Sequence, residues 1–437
     1  MSTYTFEEIV HFLEALGKFS VKNNLEHTAR MFALLDHPER KVPVIHVAGT
    51  NGKGSTCVFL ASVLKESGRK TALFISPHLI RITERMSVNG TEISEEDFAE
   101  AGGRVREAAE RMVSEGNTYP SWFEFLFLMA MVWFADQRVD IAVLETGLGG
   151  RLDATNTIRN PLLTVITQIG LDHTQYLGNT IEEVAYEKAG ILKEGVPCAA
   201  MPGDERAARV IRERAAELHV PLTILDKKDL TRVRQKDGVI DFSLSFRYDG
   251  RADFSIPAYA LYQAENAALA LAGLKALRDH RDSFGDLTAE NAAAGLYAFH
   301  FQARMQNPEK DVWLDGANNP DGIRVLLDSF SAYAKKRRKV LLFAAMKDKD
   351  ISAMIRHLSE KEQWDRCFVT SADAWRGADP AKLAELFSEN GVDAETIPEP
   401  LEAYKCAREE MRGGVLLVCG SLYLAGTILD RADSLME

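Results

Sequence analysis

No two of the five cysteines, Cys57, Cys198, Cys367, Cys406 and Cys419, form a CxxC pair, and their number is odd. Neither a zinc knuckle nor a disulfide framework organises such a chain, and reduced thiols fit a cytoplasmic protein. Excess positive charge is missing too: 52 Lys and Arg stand against 64 Asp and Glu, a formal net charge of −12. A face that neutralises many nucleic-acid phosphates needs the opposite balance, so no nucleic-acid partner is expected and any bound anion must be gripped locally. Long apolar runs are absent. The most membrane-like stretch, FLFLMAMVWFA at 125–135, is too short to span a bilayer and is expected to be a helix buried on all sides, with no membrane partner. The opening MSTYTFEEIVHFLEALG lacks the basic start and apolar core of a signal peptide and reads as an amphipathic helix behind a Thr cap. Internal repeats and low-complexity tracts are not visible.

What is present is an α/β pattern. At 437 residues the chain exceeds what one hydrophobic core usually serves, and 46% hydrophobic with 27% charged residues suits a soluble globular protein. Strands are expected at 42–48, 71–76, 140–145 and 162–167, with a helix from the early fifties to Gly68, the signature of a mainly parallel sheet covered by helices. Around 238–256 the alternation and a DG turn predict an antiparallel hairpin, followed by an alanine-rich helix at 262–277. After Phe299 the alternation restarts, with strands at 312–315, 339–345, 366–371 and 414–421. Two domains are therefore expected, 1–299 and 300–437, the second a smaller Rossmann-like α/β unit. Oligomeric state is not legible; a monomer is the expectation.

The stretch AGTNGKGST, Ala48 to Thr56, sits between a strand and a helix. There a glycine-rich turn lets backbone N–H groups converge on a phosphate, helped by the helix N-terminus. Gly49, Thr50, Asn51, Gly52, Lys53, Gly54, Ser55 and Thr56 are thus candidate nucleotide-binding residues, Lys53 neutralising phosphates and Ser55 or Thr56 offering a hydroxyl to magnesium. The usual GxxxxGK[ST] pattern is not met, because Gly54 follows the lysine. A plain left-handed turn with a solvated lysine is the competing reading.

Further candidates fall beyond the C-terminal ends of strands, where such sheets make their crevice. Ser76, Glu145 and His173 all lie there and all carry lone pairs for a metal; singly, each also reads as a turn, cap or core residue. Together with a phosphate loop they suit magnesium, which takes oxygen ligands plus substrate phosphates. GLGGRLD at 147–153 is no dinucleotide fingerprint, since Leu152 stands where the last glycine is needed.

AGTNGKGST, SPHL (76–79), ER (84–85), ETGLGGRLDATN (145–156), GLDHT (170–174), EKAGILK (187–193) and GSLYLAG (420–426) resemble the bifunctional dihydrofolate synthase and folylpolyglutamate synthase family, of the Mur-ligase type. In that family the loop itself reads GTNGKGS. The resemblance implies an N-terminal P-loop domain, a C-terminal Rossmann-like domain, ATP and Mg2+, and small-molecule substrates: dihydropteroate or a reduced folate, and L-glutamate. ATP would phosphorylate the terminal carboxylate and the amine of glutamate would displace the phosphate. It further implies Lys53, Asp153, Lys188 and His173 in catalysis, with Lys188 carbamylated and Asp153 helping to position or deprotonate the amine. Ser55, Ser76, Glu145 and His173 would hold magnesium. Asn266, Arg304 and Asp315 would touch nucleotide, and His78, Arg85, Phe123, Asn318 and Ser421 substrate, with Trp122 a further wall. Three departures stand out. Tyr262 replaces a family histidine, Gln302-Ala303 replaces Pro-Gly before Arg304, and Asn318 replaces the histidine of DGAHNP. They leave open a related ligase acting on a different carboxylate or amine.

Overall fold

Val44–Ala48 (β1) is buried at every position, as a central parallel strand covered on both faces must be. The computed structural model describes residues 4–19, 23–373 and 376–435. Around β1 lie Thr71–Phe74 (β2), Met86–Val88 (β3), Thr91–Glu92 (β4), Ile141–Glu145 (β5), Leu163–Ile166 (β6), Cys198–Ala200 (β7) and Leu222–Ile224 (β8), in the order β4-β3-β2-β5-β1-β6-β7-β8. All neighbours run parallel except β2–β3 and β3–β4. A three-stranded antiparallel sheet follows, of Leu230–Lys236 (β9), Val239–Tyr248 (β10) and Arg251–Pro257 (β11). The expected hairpin is therefore extended by one strand, β9, whose mostly exposed polar residues carry no alternation to betray it. The last sheet is parallel throughout: Val312–Leu314 (β12), Lys339–Phe343 (β13), Arg366–Val369 (β14), Ala394–Thr396 (β15) and Val415–Cys419 (β16), ordered β12-β16-β13-β14-β15.

The apolar stretch at 125–135 lies in the helix Trp122–Asp136, opened by a Ser121–Glu124 capping box and buried from Glu124 to Phe134. It fills the space between the sheet and the first helix, Phe6–Phe19, with Phe12, Phe32 and Phe74 packed on its rings. Burying each such side chain contributes about 1.5–3 kcal/mol, which is why so apolar a helix serves as core. Among the described residues no helix is long and apolar enough to cross a membrane. The alanine-rich helix Tyr262–His280 packs on β6 and β7 on the other face, its small side chains permitting close approach.

Register sets the site. Val47 pairs with Glu145, Ala48 with Ile166 and Phe74 with Leu144, so the C-terminal ends of β1, β2, β5 and β6 stop at one edge. The loops leaving that edge carry Gly49–Gly52, Ser76 and Thr167–His173, and Glu145 ends β5 beside them.

Candidate active site

The loop after β1 is strapped down before it turns into the helix Lys53–Glu66. Thr50 N–H donates to the Gln168 carbonyl at 2.8 Å, Thr167 Oγ1 donates to the Asn51 carbonyl at 2.7 Å, and Thr50 Oγ1 donates to the Gly170 carbonyl at 3.0 Å. Gly52 is left-handed (φ +85°), and a Cβ on it would meet Asn266 Oδ1 at 2.3 Å. Asn266 in turn donates to Gln263 Oε1 at 2.9 Å, and Gln263 Nε2 to Ser55 Oγ at 3.2 Å. Ser55 is thus aimed by the alanine-rich helix. A Cβ on Gly54 would lie 3.1 Å from the Phe301 ring. A Ser or Thr after the lysine would therefore need Phe301, on the segment leading to β12, to give by a few tenths of an ångström.

Loop residues Thr50 to Ser55, together with Ser76, Glu145, His173, Asn266, Arg304, Asp315 and Asn318, line one cavity of about 900 Å³. Lys53 Nζ lies 3.8 Å from Glu145 Oε1 and 3.3 Å from the Thr50 carbonyl, while Glu145 Oε2 accepts from Ser76 N–H at 3.0 Å. Burial pushes the Glu145 carboxyl upward against the pull of Lys53, the Ser76 N–H, Arg304 and Arg85. Among the described residues no three of His, Cys, Asp and Glu gather into a metal cage. Serine side chains lining the same cavity as a buried carboxylate do fit Mg2+, which is held by one or two carboxylates plus phosphates and water rather than by an all-protein cage.

His173, left-handed at φ +50°, receives Lys349 Nζ on its Nε2 at 3.1 Å. Burial lowers its pKa, Asp172 opposing, so the ring is neutral. The same ammonium holds Asp172 at 2.8 Å, and although burial alone would raise that carboxyl, Lys349 keeps it below its ordinary value. Neither Asp172 nor Lys349 was singled out from sequence; the adjacent DH and KDKD charges carried no spacing that linked residues so far apart in the chain.

Arg304 stacks on Phe301 at 5.0 Å. Asp315 is held by three hydrogen bonds: Oδ2 accepts from Tyr262 Oη at 2.5 Å and Met305 N–H at 2.7 Å, and Oδ1 from Ala317 N–H at 2.7 Å. Tyr262, a departure from the family pattern, therefore joins the alanine-rich helix to the last sheet. Ala303, another departure, adopts φ +52°, the left-handed region where the family's glycine is strain-free.

Several expected residues lie off this cavity. Thr56 is fully buried and, among the described residues, has no partner for its hydroxyl; Ser55, also buried, is the one of the pair that lines the cavity. Ser421 is also buried, and its Oγ accepts from the Tyr423 and Leu424 N–H groups as a helix cap. Lys188 Nζ donates to the Gly49 carbonyl at 2.8 Å; burial first, and Lys53 second, bring its pKa down to about 7. The remaining residues line or abut a second cavity of about 320 Å³, whose walls include Arg85, Phe123 and Asp153. Arg85 is buried, stacks on Trp122 at 4.4 Å and donates Nε to His78 Nδ1 at 2.8 Å. Asp153 caps the turn Ala154–Thr157 and also accepts from Leu148 N–H at 2.8 Å. The two cavities share Ser76, Pro77 and Gly147.

A phosphate loop on a mainly parallel sheet, with a second parallel-sheet unit closing the cavity, defines a Mur-type ATP-dependent ligase. The Mur ligase middle domain matches residues 47–274, and the Mur ligase glutamate ligase domain matches 301–422. The chain is 33% identical to the dihydrofolate synthase/folylpolyglutamate synthase of Bacillus subtilis over 95% of its length and 96% of that protein's. With the folylpolyglutamate synthase of Lacticaseibacillus casei it shares 29% identity over 97% of each. Among solved structures, E. coli FolC in complex with DHPP and ADP matches with a TM-score of 0.85 at 27% identity, covering 100% of this chain and 99% of that one. Mycobacterium tuberculosis folylpolyglutamate synthase complexed with ADP and AMPPCP gives 0.87 at 27%, covering 98% and 97%. The chain belongs to the dihydrofolate synthase/folylpolyglutamate synthase family of Mur ligases. The departures at Tyr262, Gln302-Ala303 and Asn318 do not remove it from that family, and a different acid or amine is not favoured.

Proposed function

We propose that this enzyme adds L-glutamate to dihydropteroate, to reduced folates, or to both, through an acyl phosphate formed from ATP. The observation that carries the reading is the pair of cavities meeting at Ser76, Pro77 and Gly147: the larger suits a nucleotide, the smaller an acceptor acid. The acceptor carboxylate takes the terminal phosphoryl group, ADP leaves, and the glutamate amine then attacks the acyl carbon, releasing phosphate and a proton.

Two anions must be brought together, so fixed positive charge is needed where negative charge builds up. Lys53 supplies it from the loop and Arg304 from the second unit, whose planar fork suits phosphate oxygens. Ser55 and Glu145 would hold Mg2+, with Ser76 and His173 as the further expected donors; the ion supplies electrostatic stabilisation of the phosphoryl oxygens. For His173 to ligate through Nε2, Lys349 must move off that nitrogen. Asn266 and Asp315 flank the nucleotide space. Arg85, with His78, Trp122 and Phe123, shapes the acceptor cavity; Asp153 stands in its wall and off the larger cavity, so we assign it to the acceptor in place of the amine role the resemblance implies. Asn318 faces the larger cavity with an amide that donates and accepts but never becomes charged, so we expect weaker glutamate binding than a histidine would give.

Lys188, with a pKa brought near 7, offers an uncharged amine to carbon dioxide, and its carbamylation would add negative charge beneath the loop. Intact mass under native conditions tests this; an unmodified side chain in active enzyme removes it. The chain divides into units 1–299 and 300–437 that close over the substrates, which shields the acyl phosphate from water. We further propose that it works in the cytoplasm as a monomer. The test is phosphate release with dihydropteroate and with tetrahydrofolate, each with and without glutamate, for wild type and Lys53→Ala. Turnover that needs acid, glutamate and Mg2+ together, and is lost in the variant, is expected. Release independent of both acids overturns the reading.

A further inference from the structure

His46 stands in the middle of β1, fully buried, and nothing in the sequence marked it out. Its Nε2 is 2.7 Å from Thr155 Oγ1, and that hydroxyl is 2.5 Å from Asp153 Oδ1. Counting protons sets the direction of this chain. An ionised carboxylate only accepts, so Thr155 gives Asp153 its one hydroxyl proton, and the hydroxyl oxygen accepts from His46. The imidazole proton therefore sits on Nε2. Nδ1, left as a bare lone pair, has no hydrogen-bond partner among the described residues; an N–H there would be a buried orphan donor, the rarer and costlier case. Burial, with the nearby charge of Lys193, brings the ring's pKa down to about 3, consistent with a single proton.

An imidazole in this strand is costly, since a valine would fill β1 with no buried polar atom to satisfy. Among the described residues the ring's one hydrogen bond is to Thr155. Thr155 N–H also reaches Asp153 Oδ1, at 3.1 Å, and Leu148 N–H secures Oδ2, so the carboxylate is held from both sides in the cavity wall.

We propose that His46 is a positioning residue: acting through Thr155, it fixes the Asp153 carboxylate in the wall of the smaller cavity and thereby aligns the acceptor acid. This rests on the reading of that cavity as the acceptor site. His46 does not touch substrate, and its effect is carried entirely by Thr155.

The experiment compares variants that cut the chain, His46→Leu and Thr155→Val, with variants that retain a donor, His46→Gln and Thr155→Ser. The probe is whichever of dihydropteroate and tetrahydrofolate supports phosphate release. Cutting the chain is expected to raise the acceptor KM about tenfold, the upper end of what one hydrogen bond contributes. ADP affinity stays at the wild-type value, the retaining variants stay near wild type, and the double variant His46→Leu/Thr155→Val is no worse than the poorer single one. Losses that add, a Gln variant as poor as Leu, or an equal loss of ADP binding reduce His46 to strand packing and overturn the proposal. Should the His46→Leu protein not fold, Thr155→Val, nearly isosteric, carries the same comparison. Asp153→Asn separates the two layers: no effect on acceptor KM sinks the reading of the cavity itself. A raised KM there with none in Thr155→Val sinks only the relay.

Discussion

Asn51 in the phosphate loop and Asn319 at the head of the helix Pro320–Ala334 exchange a reciprocal pair of amide hydrogen bonds, at 3.1 and 2.8 Å. Asn319 is buried, also caps its own helix through Gly322 N–H, and reaches Asp172 Oδ2 at 3.3 Å. The second unit therefore touches the glycine-rich loop after β1 through a residue with no free hydrogen-bonding capacity to adapt. Beside it, Lys349 clamps Asp172, so two polar links converge on one edge of the first sheet.

Removing one partner of the Lys349–Asp172 pair leaves a charge buried without compensation. Lys349→Met is expected to cost about 3 kcal/mol in folding stability, and the double variant Lys349→Met/Asp172→Asn to recover part of it. Denaturant melts of the single and double variants measure both; a single variant as stable as wild type contradicts the burial argument.

Restoring the common loop pattern should harm this enzyme. Gly54→Ser places a Cβ 3.1 Å from the Phe301 ring, so loop or ring must shift. Turnover is expected to fall about tenfold or more, the scale that misplaced phosphate contacts produce, and Gly54→Ser/Phe301→Leu to regain activity. Steady-state kinetics decide, and an unimpaired Gly54→Ser would show that the contact is slack.

Tyr262→Phe deletes the donor to Asp315 Oδ2 and leaves a buried carboxylate oxygen with Met305 N–H alone. About 1–3 kcal/mol of stability should go with it. Tyr262→His, the family's residue, is the informative comparison in thermal melts: equal loss in both variants is expected if only the phenol reaches the carboxylate.

His46 predicts part of the acid sensitivity. Its pKa is lowered from 6.5 to about 3 in the fold, so the unfolded chain binds the extra proton first. Stability is fully present above pH 6.5 and is lost as pH falls toward 3, with a limiting slope of about 1.4 kcal/mol per pH unit. In His46→Gln that component disappears, which urea titrations across the window will register as a shallower pH dependence.

Much of the architecture was legible in the residues. β-branched runs separated by helical spacing marked the central strands, and the DG pair marked the β10–β11 turn. Lys53, Ser55, Ser76, Glu145 and His173 were read as one group because each follows a strand that ends at the same sheet edge. Strands β3, β4, β7, β8 and β15 are not legible because runs of two or three residues carry too little pattern, nor is β9, whose residues are mostly exposed and polar.

What the sequence by itself determined was the central strands with their covering helices, the glycine-rich loop between β1 and its helix, and the family. What only the tertiary structure decided was which side chains meet across long separations: Gly54 with Phe301, Tyr262 with Asp315, Asn51 with Asn319, His46 with Thr155. Local spacing encodes the faces of helices and strands. Contacts between elements far apart in the chain depend instead on how the sheets and their covering helices pack, and packing has no period to read.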